Sequence, residues 1–569
     1  MLHSQRIVET KAGNLRGTRE VNFEDEHYFA FRGIPYAKPP VGTLRFRDPE
    51  VLPRWGGLRN ATFHRPNAPQ IDRLTGDVIG SEDCLHLNIY SKGIKIACGL
   101  PVMVWIHGGN FASGSGDDSF YGPDYFMRRN VCLVTINYRL GALGFLTFDD
   151  TYSPGNQGLK DQVMALKWIQ NHIINFSGDP TNVTIFGSDA GAACVHLLCL
   201  SPLAKGLFHR AIIQSGVSLN PWVIHRNPGK RAFELCEKLG CKSKDPATAV
   251  QFLRKVNVRQ LVKAQNQLLS KDEKIQYSTI FGPCIDRKSD APFMPMNPDE
   301  LARRGIDMPL IIGYNDREGI VALRDLGREH SRFNTDTLKV LHPNTINTMH
   351  QSYSLDLEKV KKIYYTNNSI THDNLESLVD MLGELYFIEG IHRVIRAQVV
   401  NDYAEKTYFY KFIYDRQTSL FKMSSGRNMR GACHGDELLY LFSLGSFSTM
   451  RKQYCIPRKS WYQVAKWCVL ILPLMCLVKL GRFGFPPRRS QRYRITKRMI
   501  DMWVNFAITD NPIPKRTTLL PMKWTPVEDI CVFNCMKISE DLEMEGEENL
   551  ELKYTEAQDH QTMIAESAV

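Results

Sequence analysis

The chain of 569 residues lacks a long apolar segment. Its longest uncharged apolar run, Trp467–Val478, has twelve residues, whereas a helix that spans a bilayer needs about 20. The N-terminal residues also lack the apolar core of about 7–15 residues that a secretory signal requires. These absences predict an intracellular protein, either cytoplasmic or peripherally associated with a membrane.

The sequence also lacks the patterns that mark bound cofactors. Its 14 cysteines form no CxxC pair and no metal-ligand spacing, and neither a phosphate loop nor a dinucleotide fingerprint is found. We therefore expect no cofactor and no bound metal. In a chain without a secretory signal, the cysteines are expected to be reduced.

Most of the chain is close to neutral, although its net charge is +11. Arg451–Arg498 holds 13 Lys and Arg residues and no acidic residue, and Glu540–Glu566 holds ten acidic residues and one lysine. We predict that 452–489 form an insertion, or an artefact of gene prediction, and that 541–569 form a disordered acidic tail. No nucleic-acid binding is expected, because that requires a basic face on a recognisable binding fold. Basic residues around the apolar run leave a peripheral membrane contact through the insertion open.

Short apolar runs rich in Val and Ile alternate with helical patterns through the chain. Apolar residues of Leu159–Ile174 recur at helical spacing. Continuous apolar strands separated by helices predict a sheet that is covered on both faces, within one large α/β domain over residues 1–540. The predicted strands are Pro101–Ile106, Val131–Tyr138, Asn182–Phe186, Met308–Gly313 and Thr407–Tyr414.

The most informative stretch is Asn182–Ala193 (NVTIFGSDAGAA), in which a strand runs into Gly187-Ser188-Asp189-Ala190-Gly191 and then a helix of small residues. This strand–turn–helix context is typical of a nucleophile elbow, G-x-S-x-G, in which the central residue is exposed in a strained turn. Here the central residue is Asp189 instead of serine. Ser188 stands one place early, where its side chain is expected to point elsewhere.

Several segments resemble the type-B carboxylesterase/cholinesterase family of α/β-hydrolases, and most closely its intracellular insect alpha-esterases. The resemblance covers roughly residues 5–450 and 495–540 and implies an α/β-hydrolase fold with one large, mostly parallel central sheet. The matching segments are Phe31–Phe46 (FRGIPYAKPPVGTLRF), Gly80–Tyr90, Trp105–Phe111 (WIHGGNF), Asn137–Leu146, Gly155–Ile173, Gly206–Gly216 and the C-terminal helix Lys497–Pro512.

The resemblance places a catalytic triad at three positions. Asp189 occupies the nucleophile position, Glu318 in GYNDREGI that of the acid, and His434 in GACHGDELLYLF that of the base. The family order of nucleophile, acid and base is kept. Ser215 matches a serine that supports the His–Glu pair in the family.

The resemblance also places the oxyanion hole at the backbone N–H groups of Gly109, Asn110 and Ala190. The family loop resembles HGGGF, and Asn110 replaces a glycine of that loop. Because glycine there permits the close approach that aims the N–H, we expect Asn110 to weaken the hole. Losing one well-aimed donor costs about 3–4 kcal/mol of barrier.

Other family positions concern the scaffold. Arg45 with Glu82, and Arg139 with Asp161, match structural ion pairs of the family. Cys84 matches a disulfide-forming cysteine whose usual partner position is Ala68 here. That disulfide is therefore expected to be absent.

An aspartate at the nucleophile position argues against ester hydrolysis. In the serine mechanism the histidine removes a hydroxyl proton before the oxygen attacks, and an ionised carboxylate has no such proton. Loss of the nucleophile alone costs on the order of 10⁶ in turnover. We therefore predict a catalytically impaired protein that binds or sequesters small hydrophobic esters or related ligands.

Two alternatives stay open at this point. Some α/β-hydrolases, such as epoxide hydrolases, use an aspartate at the elbow as a nucleophile towards an sp³ carbon. Asp189, Glu318 and His434 could form such a triad. Alternatively, the chain is a non-catalytic interaction protein whose contact surfaces are the basic insertion and the acidic tail.

Overall fold

The computed structural model describes residues 5–72, 75–94, 98–323, 341–365, 375–415, 419, 422, 429–445 and 486–555. The insertion predicted at 452–489 lies almost wholly outside these residues. One sheet of thirteen strands extends through the described chain. The strands are β1 (Gln5–Thr10), β2 (Gly13–Val21), β3 (His27–Pro35), β4 (Leu58–Asn60), β5 (Gln70–Ile71), β6 (Val78–Ile79), β7 (His86–Ser91), β8 (Leu100–Ile106), β9 (Cys132–Ile136), β10 (Gly178–Ser188), β11 (Arg210–Gln214), β12 (Leu310–Asn315), β13 (Thr407–Phe412), β14 (Val532–Ile538) and β15 (Leu542–Glu548). Of these, β5 and β6 pair with each other in a separate two-stranded sheet.

The centre of the sheet is parallel, in the order β9-β8-β10-β11-β12-β13-β14. Antiparallel strands β1, β2, β3 and β7 extend it on one side, and β15 closes it on the other. Each predicted strand is found, with ends that differ by a few residues. The predicted α/β-hydrolase fold with a large, mostly parallel sheet is confirmed.

Helices cover the sheet on both faces. The predicted helix Leu159–Ile174 is α2, and the predicted C-terminal helix is α14. The helices are α1 (Gly141–Phe145), α2 (Gln157–His172), α3 (Ala190–Leu200), α4 (Pro228–Lys238), α5 (Pro246–Lys255), α6 (Val258–Asn266), α7 (Lys271–Ile275), α8 (Pro298–Ala302), α9 (Pro343–Tyr353), α10 (Leu357–Tyr364), α11 (Leu375–Gly383), α12 (Glu389–Val400), α13 (Leu438–Leu441) and α14 (Gln491–Thr509).

The alternation of side chains along β8 divides the core in two. Val102, Val104 and Ile106 pack into the larger apolar cluster on one face of the sheet. Met103 and Trp105 pack into a second cluster on the other face. A strand that is buried on both faces must be apolar throughout, which explains the continuous apolar run of this segment.

Two buried ion pairs hold loops near the sheet. Arg45 makes two bonds of 2.6 Å with Glu82, and Arg139 Nη2 lies 2.7 Å from Asp161 Oδ1. Both pairs were expected from the family resemblance. Cys84 is buried as a free cysteine.

The acidic segment that begins at residue 541 was predicted to be disordered, and this is wrong for its first half. Leu542–Glu548 forms β15, which pairs antiparallel with β14 along its whole length. Leu542 is buried, and lysines on neighbouring strands pair with the acidic residues, as Lys411 does with Glu547 at 2.7 Å. Local charge density misled the prediction, because these partners are distant in sequence. Residues 556–569 lie outside the described part.

Among the described residues, the helices are all too short or too polar to cross a bilayer. The apolar run Trp467–Val478 lies outside those residues. Its predicted membrane contact stays a prediction.

Candidate active site

Asp189 lies in the sharp turn between β10 and α3, with φ 57° and ψ −129°. Its N–H donates to Gln214 O at 3.1 Å. A Cβ added at Gly191 would lie 2.1 Å from Ile106 O, so only glycine allows α3 to begin this close to the sheet. The predicted elbow is therefore present, with the aspartate side chain at its tip.

Glu318 and His434 reach the elbow from two neighbouring loops. Glu318 opens a short 3₁₀ turn after β12. The loop that carries His434 is anchored through Ala432, whose N–H donates to Asp316 Oδ1 at 2.7 Å and whose carbonyl accepts from Arg317 N at 3.0 Å. These loops meet because parallel strands place their carboxyl ends at one edge of the sheet.

The three predicted triad residues come together in space. His434 Nδ1 lies 2.5 Å from Glu318 Oε2, and both side chains are buried. His434 Nε2 lies 3.7 Å from Asp189 Oδ1. The histidine is therefore placed between two carboxylates.

The backbone of the HGGNF loop points at the same place. Gly109 N and Asn110 N donate to Asp189 Oδ2 at 2.8 and 3.1 Å. Asn110 has φ 53°, a left-handed conformation that asparagine adopts more easily than most residues. The expectation that Asn110 misdirects its N–H is therefore not met, because the side chain tolerates the required backbone.

One oxygen of Asp189 thus occupies the oxyanion hole. In an ester hydrolase these N–H groups are aimed at the oxygen that becomes negative in the transition state. Here Asp189 Oδ2 already takes both donors. The third predicted donor, Ala190, follows Asp189 at the start of α3, and its N–H also favours the ionised carboxylate.

The electrostatics describe a stable ion pair. Burial alone would raise the pKa of Asp189, but the interaction with His434, together with the N–H groups of Gly109 and Ala190, holds it at about 2. Burial alone would lower the pKa of His434, but the carboxylates of Glu318 and Asp189 outweigh it and raise that pKa well above its usual value. The raised pKa favours the imidazolium form of His434, in which Nε2 carries a proton and cannot accept another.

The two serines near the elbow do not support the site as a hydrolase would need. Within the described residues, Ser215 Oγ is buried without a hydrogen-bond partner, while Ser215 N donates to Gly313 O at 2.9 Å. The support that Ser215 was expected to give the His–Glu pair is therefore not seen. Ser188 Oγ donates to Glu437 Oε1 at 3.3 Å, so it is turned into the core, as predicted.

A second buried carboxyl, Glu437, was missed by the sequence reasoning. It accepts from Asn315 Nδ2 at 2.6 Å and from Gln214 Nε2 at 3.1 Å. Burial raises its pKa, and the bond from Asn315 opposes that shift. The available signal was its place three residues after His434, in the same motif. This network ties the end of β12 to the His434 loop.

Aromatic side chains surround the ion pair. The Phe387 ring lies 4.7 Å from the His434 ring, and Trp222 lies 5.9 Å from Phe387. Phe111, next to Asn110, lies 6.3 Å from Trp222. All three aromatic residues are buried. The charges are thus held in apolar surroundings, where they interact more strongly than in water.

The chain is similar to known proteins over most of its length. The sequence profile of the Carboxylesterase family matches residues 4–460. Esterase B1 from Culex pipiens is 33% identical over 447 residues, which cover 77% of this chain and 82% of that protein. Juvenile hormone esterase from Tribolium castaneum is 33% identical over 545 residues, or 90% of this chain and 84% of that protein.

A solved structure extends the likeness to the whole fold. The crystal structure of juvenile hormone esterase from Manduca sexta, with OTFP covalently attached, superposes with a TM-score of 0.78 at 26% identity. The superposition covers 98% of this chain and 99% of that one.

Proposed function

Because the chain belongs to the Carboxylesterase family, we propose that it is a silenced member, one that does not turn over esters and instead binds small hydrophobic esters or related ligands. The observation that carries this proposal is the position of Asp189 Oδ2, which lies 2.8 Å from Gly109 N and 3.1 Å from Asn110 N. The nucleophile position holds an anion that also fills the oxyanion hole.

Three features then oppose ester hydrolysis together. Asp189 has no hydroxyl to activate. Its carboxylate repels an oxyanion that would form beside it. The raised pKa of His434 favours the protonated imidazole, which cannot act as the general base. Loss of the nucleophile by itself accounts for about 10⁶ in turnover.

Binding is proposed because the scaffold around the site is intact. The elbow, the Glu318–His434 pair and the aimed N–H groups of the HGGNF loop keep the arrangement of an active site. The Asp189 side chain is 15% exposed, although its Oδ1 atom is buried.

The first experiment compares hydrolysis of naphthyl and short-chain esters by the wild type and by Asp189→Ser. Serine supplies the hydroxyl and leaves the oxyanion hole empty. It also removes one of the two carboxylates that raise the pKa of His434. We expect an inactive wild type and a gain of at least about 10³ in kcat/KM for the variant, which falls short of the 10⁶ scale of the nucleophile because the site is not otherwise optimised.

Asp189→Ala is the matched control for this experiment. It also empties the hole but supplies no nucleophile, so it should stay inactive. Wild-type turnover that disappears in His434→Ala would contradict the proposal, since it would show that the existing groups catalyse.

One observation favours a second candidate, an aspartate nucleophile. Among the described residues Asp189 Oδ1 has no hydrogen-bond partner. It could therefore attack an sp³ carbon of an epoxide or haloalkane, whose C–O or C–halogen bond breaks as the new bond forms, while Oδ2 stays in the hole. Alkylation would neutralise Asp189, and His434 could then lose its proton and activate water. This candidate predicts that His434→Ala accumulates an alkylated Asp189 when treated with epoxides or haloalkanes, as detected by mass spectrometry. Without an adduct, the candidate is wrong.

An intracellular location is part of the proposal and rests on the cysteines. Cys84 is free, and Ala68 is buried at its expected partner position. Cell fractionation tests the location. Deletion of 452–489 tests whether any membrane-associated fraction depends on the insertion.

A further inference from the structure

The ion pair leaves two polar atoms on either side of a gap of 3.7 Å. Asp189 Oδ1 is buried without a hydrogen-bond partner among the described residues. It lies 3.7 Å from His434 Nε2, beyond ordinary hydrogen-bond distance. A single oxygen atom at about 2.8 Å from both would fit this separation. A group that bonds to both atoms must therefore donate to the carboxylate and accept from the imidazolium.

The charges around the gap exclude most polar groups. A carboxylate ligand would be repelled by Asp189 and could not donate. An ammonium ligand would satisfy Asp189 but would meet the N–H of a protonated His434, since an ammonium has no acceptor. An ester carbonyl could accept from His434 but would leave Asp189 Oδ1 unpaired, which costs about 1–3 kcal/mol for a buried group.

A hydroxyl group meets both requirements, because it has one O–H donor and two acceptor lone pairs. We propose that this site selects hydrophobic alcohols over esters, with the ligand hydroxyl bridging Asp189 Oδ1 and His434 Nε2. The inference deepens the proposed ligand-binding function and rests on it.

The surroundings match an apolar ligand body. Phe387 is buried 4.7 Å from the His434 ring. It packs against Trp222, which in turn lies near Phe111, and both of these are buried as well. Since Asp189 Oδ2 is already bound by two N–H groups, a ligand carbonyl has no donor pair left to recognise it. Asp189 would thus convert a site that is shaped for ester carbonyls into one that binds the alcohol preferentially.

The test measures binding of four ligands of similar length to the full-length wild type: octanol, methyl heptanoate, octanoate and octylamine. Isothermal titration calorimetry below the micellar concentrations gives the affinities. We expect octanol to bind at least about tenfold tighter than methyl heptanoate, and octanoate to bind most weakly. Equal or tighter binding of the ester than of the alcohol would overturn the inference while leaving the proposed binding function in place.

Asp189→Asn is the control for the bridging hydroxyl. With its carbonyl oxygen in the hole, the amide nitrogen replaces Oδ1 and can donate but not accept. The preference for octanol over the ester should then disappear or reverse. An unchanged preference would overturn the inference, and no binding of any of the four ligands to the wild type would overturn the proposed function as well.

Discussion

The site has two halves, the Glu318–His434 pair and the elbow with the HGGNF loop, and they differ in how far they depart from the family pattern. In the Glu318–His434 half, the side chains are those that the family resemblance predicts, with a 2.5 Å bond between buried partners. In the elbow half, the backbone is kept, including the strained turn at Asp189 and the aimed N–H groups of Gly109 and Asn110. The side chains that differ from the family pattern are Asp189 at the tip and Asn110 in the loop.

The comparison shows that one side chain can alter both halves. Asp189 fills the hole in its own half and, by its charge, raises the pKa of His434 in the other. The pKa of His434 is therefore shifted by a side chain of the other half, although its bond to Glu318 is kept. The backbone geometry of the site depends on packing, whereas its chemistry depends on the charge and protonation of a few side chains. One can therefore change without the other.

The largest expected effect comes from breaking the Glu318–His434 half. His434→Ala leaves Glu318 buried without its cationic partner, and removing one partner of a buried pair typically costs about 3–5 kcal/mol. Chemical denaturation should show a loss of that size in the free energy of unfolding. His350→Ala, on the exposed end of α9, is the control and should change stability by no more than about 0.5 kcal/mol. A similar small change for His434→Ala would show that the pair is not a tight ion pair.

A smaller effect should follow from neutralising the elbow half with Asp189→Asn. The raised pKa of folded His434 contributes stability that is fully present below pH of about 6.5 and is lost as pH rises through the raised value. The lowered pKa of Asp189 contributes stability above pH of about 4 that is lost as pH falls through about 2.

The wild type should therefore exceed Asp189→Asn most clearly between pH of about 4 and 6.5, by about 1–2 kcal/mol, and less at alkaline pH. Unfolding measured across this range tests the sign, and an NMR titration should place the His434 pKa lower in the variant. A stability difference that grows with rising pH would contradict the assignment of His434 as the imidazolium.

A still smaller effect is expected at Asn110. Its N–H is already aimed by the left-handed backbone, so adding Asn110→Gly to Asp189→Ser should change kcat by less than about threefold. If the N–H of Asn110 were misaimed, Asn110→Gly would instead raise kcat by a factor of about 10²–10³. Steady-state kinetics of the single and double variants distinguish these outcomes.

The smallest effect is expected at Ser215, whose hydroxyl makes no hydrogen bond within the described part of the chain. Ser215→Ala should change the free energy of unfolding by no more than about 0.5 kcal/mol and leave turnover of Asp189→Ser intact. Ser188→Ala is the comparison, because that hydroxyl does bond to Glu437. A clear loss of turnover in Ser215→Ala would restore the supporting role expected from the family.

Local sequence patterns predicted the secondary-structure elements that depend on residues close together in sequence. The apolar run of β8, the helical spacing in α2 and the glycines around Asp189 all lie within short segments, and the elements they predicted are present. Patterns failed at β15, where acidic residues are paired by lysines from other strands. They also missed Glu437, whose partners come from β11 and β12.

The sequence by itself determined the fold class, the elbow with aspartate at its tip and the identities of the triad positions, because each is written in a contiguous motif. Only the tertiary structure decided where the Asp189 carboxylate points. That direction depends on N–H groups 79 and 80 residues away and on an imidazolium 3.7 Å from Oδ1. Such donors and charges meet only when the strand ends converge, so the filled oxyanion hole is a property of the folded chain.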